Sequence, residues 1–126
     1  MASTEKVNIF CDLLDQFLQE LYTAHPDASL YTIIKLTQAM RYMYPREIVN
    51  QFMECILPYE NQIINRDENF FLDGGLTKDY NHSALAMQEI DKVTSIWKDP
   101  QTSDQTRKCI WEYFNLLLIT GKSIII

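Results

Sequence analysis

Each of the four prolines in this chain of 126 residues falls where a helical repeat of apolar side chains stops, starts or bends. That punctuation constrains the fold more than any other feature. Val7, Phe10, Leu14, Phe17 and Leu21 recur three and four residues apart, which places them on one stripe of a helix and leaves Glu5, Asp12, Asp15, Gln16, Gln19 and Glu20 to water. Ser3 or Thr4 is placed to cap its start. The His25-Pro26-Asp27 step ends it, because proline disfavours the α conformation of the residue before it, and Asp27 offers an oxygen to the open amides of the next turn.

A second helix is predicted over 28–43 on Leu30, Ile33, Ile34, Thr37 and Met40. Its β-branched residues lower intrinsic propensity, so burial must stabilise it. Pro45 opens a third helix at a position where no amide is needed, followed by the stripe Ile48, Val49, Phe52, Met53, Ile56 and Leu57. Pro58 marks a bend, and a short helix through Ile63 and Ile64 leads to the cluster Phe70-Phe71-Leu72. Asp73-Gly74-Gly75 is a strong turn signal, and residues 73–83 read as a flexible loop.

Helical spacing returns from about Ser83 through Leu85, Ala86, Ile90, Val93 and Trp97, and stops at Asp99-Pro100. Thr102 and Gln105 then have the spacing of a capping box for a last helix on Cys109, Ile110, Tyr113, Phe114, Leu117 and Leu118. Trp111 projects from that stripe to another side. Thr120-Gly121 is expected to end the helix and leave residues 122–126 as an apolar tail. The expectation is a single helical domain over 1–126, a compact bundle of five or six helices with one longer loop in the middle.

Composition narrows the function. With 3 Gly and 4 Pro the chain is too poor in turn formers for a sandwich of short strands, and its apolar runs fall well short of the roughly 20 residues that span a bilayer. The excess of 17 acidic over 11 basic residues, net −6, argues against direct nucleic-acid binding. Three widely spaced cysteines and no leader-like start point to an intracellular reducing compartment.

The motifs that suggest chemistry fail on context. Gly121-Lys122-Ser123 resembles the end of a phosphate loop, but the earlier glycine is Leu116 and no helix of useful length follows. Asp67, Asn69 and Asp73 suggest a calcium loop, but Phe71 and Leu72 occupy the positions that need an oxygen and a glycine. His25 and His82 lack zinc spacing and read as solvated loop residues. Cys11, Cys55 and Cys109 sit within or beside apolar stripes, where thiols are inert. Asn81-His82-Ser83 matches a glycosylation acceptor and reads as a helix cap. No catalytic, cofactor-binding or metal-binding residue is assigned, and no cofactor is expected.

What remains is a surplus of large apolar side chains near loops and chain ends. Phe70, Phe71, Trp111, Ile124, Ile125 and Ile126 are the residues expected to contact a protein partner or a second copy. Arg41 and Arg46, flanking Met43 and Tyr44, form a small basic patch.

The run Arg66-Asp67-Glu68-Asn69-Phe70-Phe71, with Ile96-Trp97, Ile110-Trp111-Glu112-Tyr113-Phe114, Phe17-Leu18 and Tyr44-Pro45, resembles small helical proteins of nucleocytoplasmic large DNA viruses of the algal and amoebal type. The resemblance implies a virion or infected-cell component, and with the apolar surplus the expectation is a non-enzymatic protein-interaction module, a minor structural component of the virion. The alternative it leaves is an intracellular regulatory factor that grips a host or viral protein through a helical groove. The absence of a basic tail speaks against packaging DNA.

Overall fold

A computed structural model describes residues 2–72 and 85–125, and every regular element among them is helical. Five helices run twelve residues or longer: α1 (Ala2–Ala24), α2 (Ala28–Met43), α3 (Pro45–Ile56), and, after two short helices α4 (Glu60–Ile64) and α5 (Asn69–Leu72), α6 (Leu85–Lys98) and α7 (Asp104–Ile125). A 3₁₀ turn over Leu57–Tyr59 holds the Pro58 bend. The expected loop over 73–83 lies outside the described residues.

The all-α fold follows from the stripes. Val7, Phe10, Leu14, Phe17 and Leu21 of α1 are all buried, as are Ile48, Val49, Phe52, Met53 and Ile56 of α3. Each large side chain so buried contributes about 1.5–3 kcal/mol against the entropy of ordering it. α1 and α7 lie antiparallel. The Lys6 ammonium meets the Ser123 carbonyl at 3.5 Å near one end, and the Cys109 thiol donates to Glu20 Oε2 at 3.2 Å near the other. Between these ends Phe17 stacks on Tyr113 with ring centres 4.9 Å apart.

α3 crosses this pair and closes the core. Phe52 meets Phe10 of α1 edge-on at 5.9 Å and Phe114 of α7 at 6.1 Å, so one aromatic column ties three helices. α2 is fixed to α6 at both ends of their contact. Asp27 caps α2 by accepting from the Ser29 and Leu30 amides at 2.7 and 3.3 Å, and its other oxygen takes the Lys92 ammonium of α6 at 2.7 Å. Deeper in, Thr37 of α2 contacts Glu89 of α6.

Three boundaries differ from expectation. Ser3 and Thr4 lie inside α1, which begins at Ala2, since nothing in the first residues opposes helix. α7 is capped one residue later than the capping-box spacing suggests: Ser103 Oγ accepts the Thr106 amide at 3.1 Å, while the Thr102 hydroxyl donates to the Ile96 carbonyl at 2.5 Å. Thr102 is therefore used to close the α6–α7 turn.

The third correction is the C-terminal tail, which is helix through Ile125. Gly121 does not end α7, because its missing side chain is what lets Met53 of α3 pack there; a Cβ at that position would overlap the Met53 thioether. Lys122 pairs with Glu60 of α4, and the Ser123 hydroxyl donates to the Thr120 carbonyl at 2.6 Å, so the last turn is anchored.

Candidate functional site

Pro45 creates the most exposed apolar feature among the described residues. It forces Tyr44 out of the helical region, to φ −142° and ψ 67°, so α2 ends with the Tyr44 amide on the Met40 carbonyl and α3 starts at once. A corner this tight has no interior for its side chains. Tyr42, Met43 and Tyr44 consequently stand 91%, 63% and 61% exposed.

Beneath the corner a cleft of about 290 Å³ opens between α1, α2 and α3. Its apolar wall is Leu14 and Ile48, and Cys11 and Thr37 also line it. The Cys11 thiol donates to the Pro45 carbonyl at 3.7 Å. Polar pairs across α1 and α2 form the rim: Arg41 donates to Asp12 Oδ1 at 2.6 Å and to the Asn8 carbonyl at 3.4 Å, and the Gln38 amide reaches Asp15 Oδ1 at 3.5 Å. Arg41 is thus engaged by α1, and the basic patch expected around Arg41 and Arg46 is reduced to Arg46. A cleft this size, at the lower edge of small-molecule sites, suits one large side chain.

The six residues nominated from sequence do not form one surface. Phe70, Trp111 and Ile124 are buried, which corrects their assignment to an exposed contact face. Phe70 is folded onto α7, 6.2 Å from Trp111 and edge-on to Phe114 at 5.9 Å. Trp111 packs edge-on against Trp97 of α6 at 6.4 Å. Because α7 is covered by α1 on one side and by α3, α4 and α6 on others, with Phe70 of α5 against it, its buried arc is wider than one stripe. Ile124 follows Gly121 by one turn on the buried side. Ile125 is exposed at the edge of a broad groove of about 590 Å³ with Met53, Leu57 and Pro58. The Phe71 side chain and Ile126 lie outside the described residues.

Sequence reasoning missed His25 as a tether. Its Nε2 lies 2.9 Å from Asp99 Oδ2, joining the end of α1 to the end of α6, so it is not a free loop residue. This hydrogen bond, with one from the Gln101 amide, holds the Asp99 carboxyl below its usual range. His25 Nδ1 has no partner among the described residues, and the residue lines a polar recess with Thr102, Ser103 and Thr106. The nearby Ser103 hydroxyl is committed to capping α7. His82 lies outside the described residues.

The thiols point away from nucleophilic chemistry in their proton affinity. Burial pushes Cys11 and Cys55 up to about 11 and Cys109 up to about 12, the last helped by its bond to Glu20. The oxygen-bearing trio considered for calcium is instead partly a cap: Asp67 Oδ1 accepts the Asn69 amide at 3.0 Å at the start of α5, and Asp73 lies outside the described residues. Among the described residues no group of three or more His, Cys, Asp or Glu side chains is arranged to hold a metal ion, and no helix is long and apolar enough to cross a membrane.

No family model matches this chain, and no curated protein or solved structure does so either.

Proposed function

We propose that this chain is a non-enzymatic helical protein-interaction module that docks an amphipathic helix of another polypeptide at the α1–α2–α3 cleft. The observation that carries this reading is the exposed run Tyr42-Met43-Tyr44, whose Tyr42 borders a cleft of side-chain size walled by Leu14 and Ile48. Aromatic and methionine side chains are the types that interface cores favour. Asp15 at the rim and the net charge of −6 select a partner whose helix carries a large apolar anchor and a basic flank.

The groove favours the regulatory form of the reading, in which a host or viral protein is bound within an infected cell. The resemblance to proteins of large DNA viruses supports the other form, a minor component of the particle. Quantitative proteomics of purified particles separates them. Stoichiometric presence is expected for the structural role, and absence with early expression for the regulatory one.

Docking is tested by titrating the protein with helical peptides that share a leucine anchor and differ in basic or acidic flanks, followed by amide chemical shifts. Shifts should concentrate on the cleft residues with the basic-flanked peptide. Replacing Tyr42, Met43 and Tyr44 together by alanine should weaken binding by at least 10-fold, since central interface residues each carry about 1 kcal/mol or more. The thermal midpoint should stay unchanged. Shifts at Ile9, Leu116 and Ile119, three of the exposed apolar residues of the α1–α7 pair, with none at the cleft, would refute the proposal and place contact on that face.

A further inference from the structure

Glu89 is the one charged-type side chain buried among the described residues, 3% exposed on α6, and its partner belongs to the cleft wall. Glu89 Oε2 lies 2.5 Å from the Thr37 hydroxyl oxygen, which is itself 2.9 Å from the Ile33 carbonyl four residues back. Threonine has a single hydroxyl hydrogen. A threonine inside a helix commonly gives it to the carbonyl four residues before. The Glu89 contact then needs a hydrogen of its own, which a protonated carboxyl supplies by donating to Thr37. The distance is within the range of O–H···O bonds.

Among the described residues a charged Glu89 has no counter-ion. Facing it are Cys11 from α1 and Cys55 from α3, both neutral thiols that its charge would further discourage from ionising, with Glu54 adding to that effect on Cys55. On α2, Arg41 is taken by Asp12, and Lys35 is exposed beside the Tyr31 ring. On α6, Lys92 is taken by Asp27, and Lys98 is exposed more than two turns away. α5 has no titratable side chain, and Arg107 of α7 sits on the Trp97 and Asp99 carbonyls at the far end of α6. Burying a carboxylate with one hydrogen bond and no cation is costly, so the neutral form is the one this pocket accepts.

From this geometry we infer that Glu89 is a proton-dependent latch on the docking cleft: when neutral it holds α2 to α6 and fixes the wall that carries Thr37, Gln38, Arg41 and Tyr42, and when ionised it releases that wall. The inference rests on the docking reading for its meaning, but the latch itself can be measured with no partner present. Burial pushes the Glu89 carboxyl from 4.5 up to about 7, against a smaller opposing effect of the Thr37 bond. For an acid whose proton is held more tightly in the folded chain, stability is complete below about pH 4.5 and is lost as pH rises to about 7.

The experiment uses the full chain with ¹³C-labelled glutamate, the Glu89→Gln variant, and iodoacetamide as a probe of Cys11. The Glu89 carboxyl carbon should titrate near pH 7 in the wild type, a reading that needs no variant. Between pH 4.5 and 7.5 the wild-type folding constant should fall by roughly 100-fold relative to Glu89→Gln, whose amide donates to Thr37 at every pH. At pH 7.5, alkylation of Cys11 should be faster in the wild type than in Glu89→Gln. A carboxyl titrating near 4.5, or parallel stability profiles, would overturn the latch. Cys11 labelling at equal rates in both proteins would overturn its link to the cleft. If these results hold while the peptides fail to bind, the docking reading fails and the latch stands.

Discussion

Arg66 holds a left-handed backbone at φ 52°, the sole non-glycine to do so among the described residues. The reason is local. Its amide bonds the Ile63 carbonyl at 3.1 Å and the next amide, of Asp67, bonds Gln62 at 2.9 Å, a pair of bonds that ends α4 and turns the chain into α5. That turn is what brings Phe70 back onto α7. Glycine suits the position better, and the Arg66 side chain is exposed, so Arg66→Gly should stabilise the fold by about 1 kcal/mol, read from the urea midpoint. Residue identity alone did not reveal this site, because arginine carries no signal for a left-handed turn. Trp111 was misread for a related reason: a periodic stripe identifies one buried face, whereas α7 is enclosed on several. His25 was misread because its partner, Asp99, lies 74 positions away.

At the scale of the element, the helices on Phe10, Phe52 and Phe114 were legible from spacing, and Asp27 and Pro45 were legible as a cap and a first residue. Endings set by tertiary contact were less so. Gly121 has the sequence of a helix stop, yet Met53 occupies the space that the glycine leaves and α7 continues. The start of α7 offers a direct check on which residue caps it. Ser103→Ala should cost about 1 kcal/mol of stability, as cap losses do. Gln105→Ala should change it by less than about 0.5 kcal/mol, because Gln105 is exposed and lies beyond the Ser103–Thr106 cap. Equal losses in chemical denaturation would restore the Thr102–Gln105 box.

Across the whole molecule, two groups of carboxyls set opposite limits on the pH at which the fold is most stable. The Lys92 ammonium, with Ser29, holds Asp27 well below its usual 3.8, and His25 lowers Asp99. A carboxyl held low when folded contributes stability above about pH 4 that is lost as pH falls through its folded value. Glu89 acts in the other sense as pH rises from 4.5 to about 7. Thermal midpoints measured from pH 2 to 9 should therefore peak between about 4 and 5, and Glu89→Gln should flatten the upper limb alone. The bundle itself was evident from the sequence. The α1–α2–α3 cleft was not, since its walls come from three helices and are polar at the rim, whereas of the apolar residues chosen as surplus Phe70, Trp111 and Ile124 belong to the core.

The antiparallel pairing of α1 with α7 also dictates an order of events during synthesis. Phe17 emerges from the ribosome early, but its neighbours Tyr113 and Phe114 are made last of all the core aromatics. At about 5–20 residues per second the stretch from Phe17 to Tyr113 takes roughly 5–19 s to translate. Throughout that interval the nascent first helix displays its greasy flank to solvent, with the surface that will cover it still to be made.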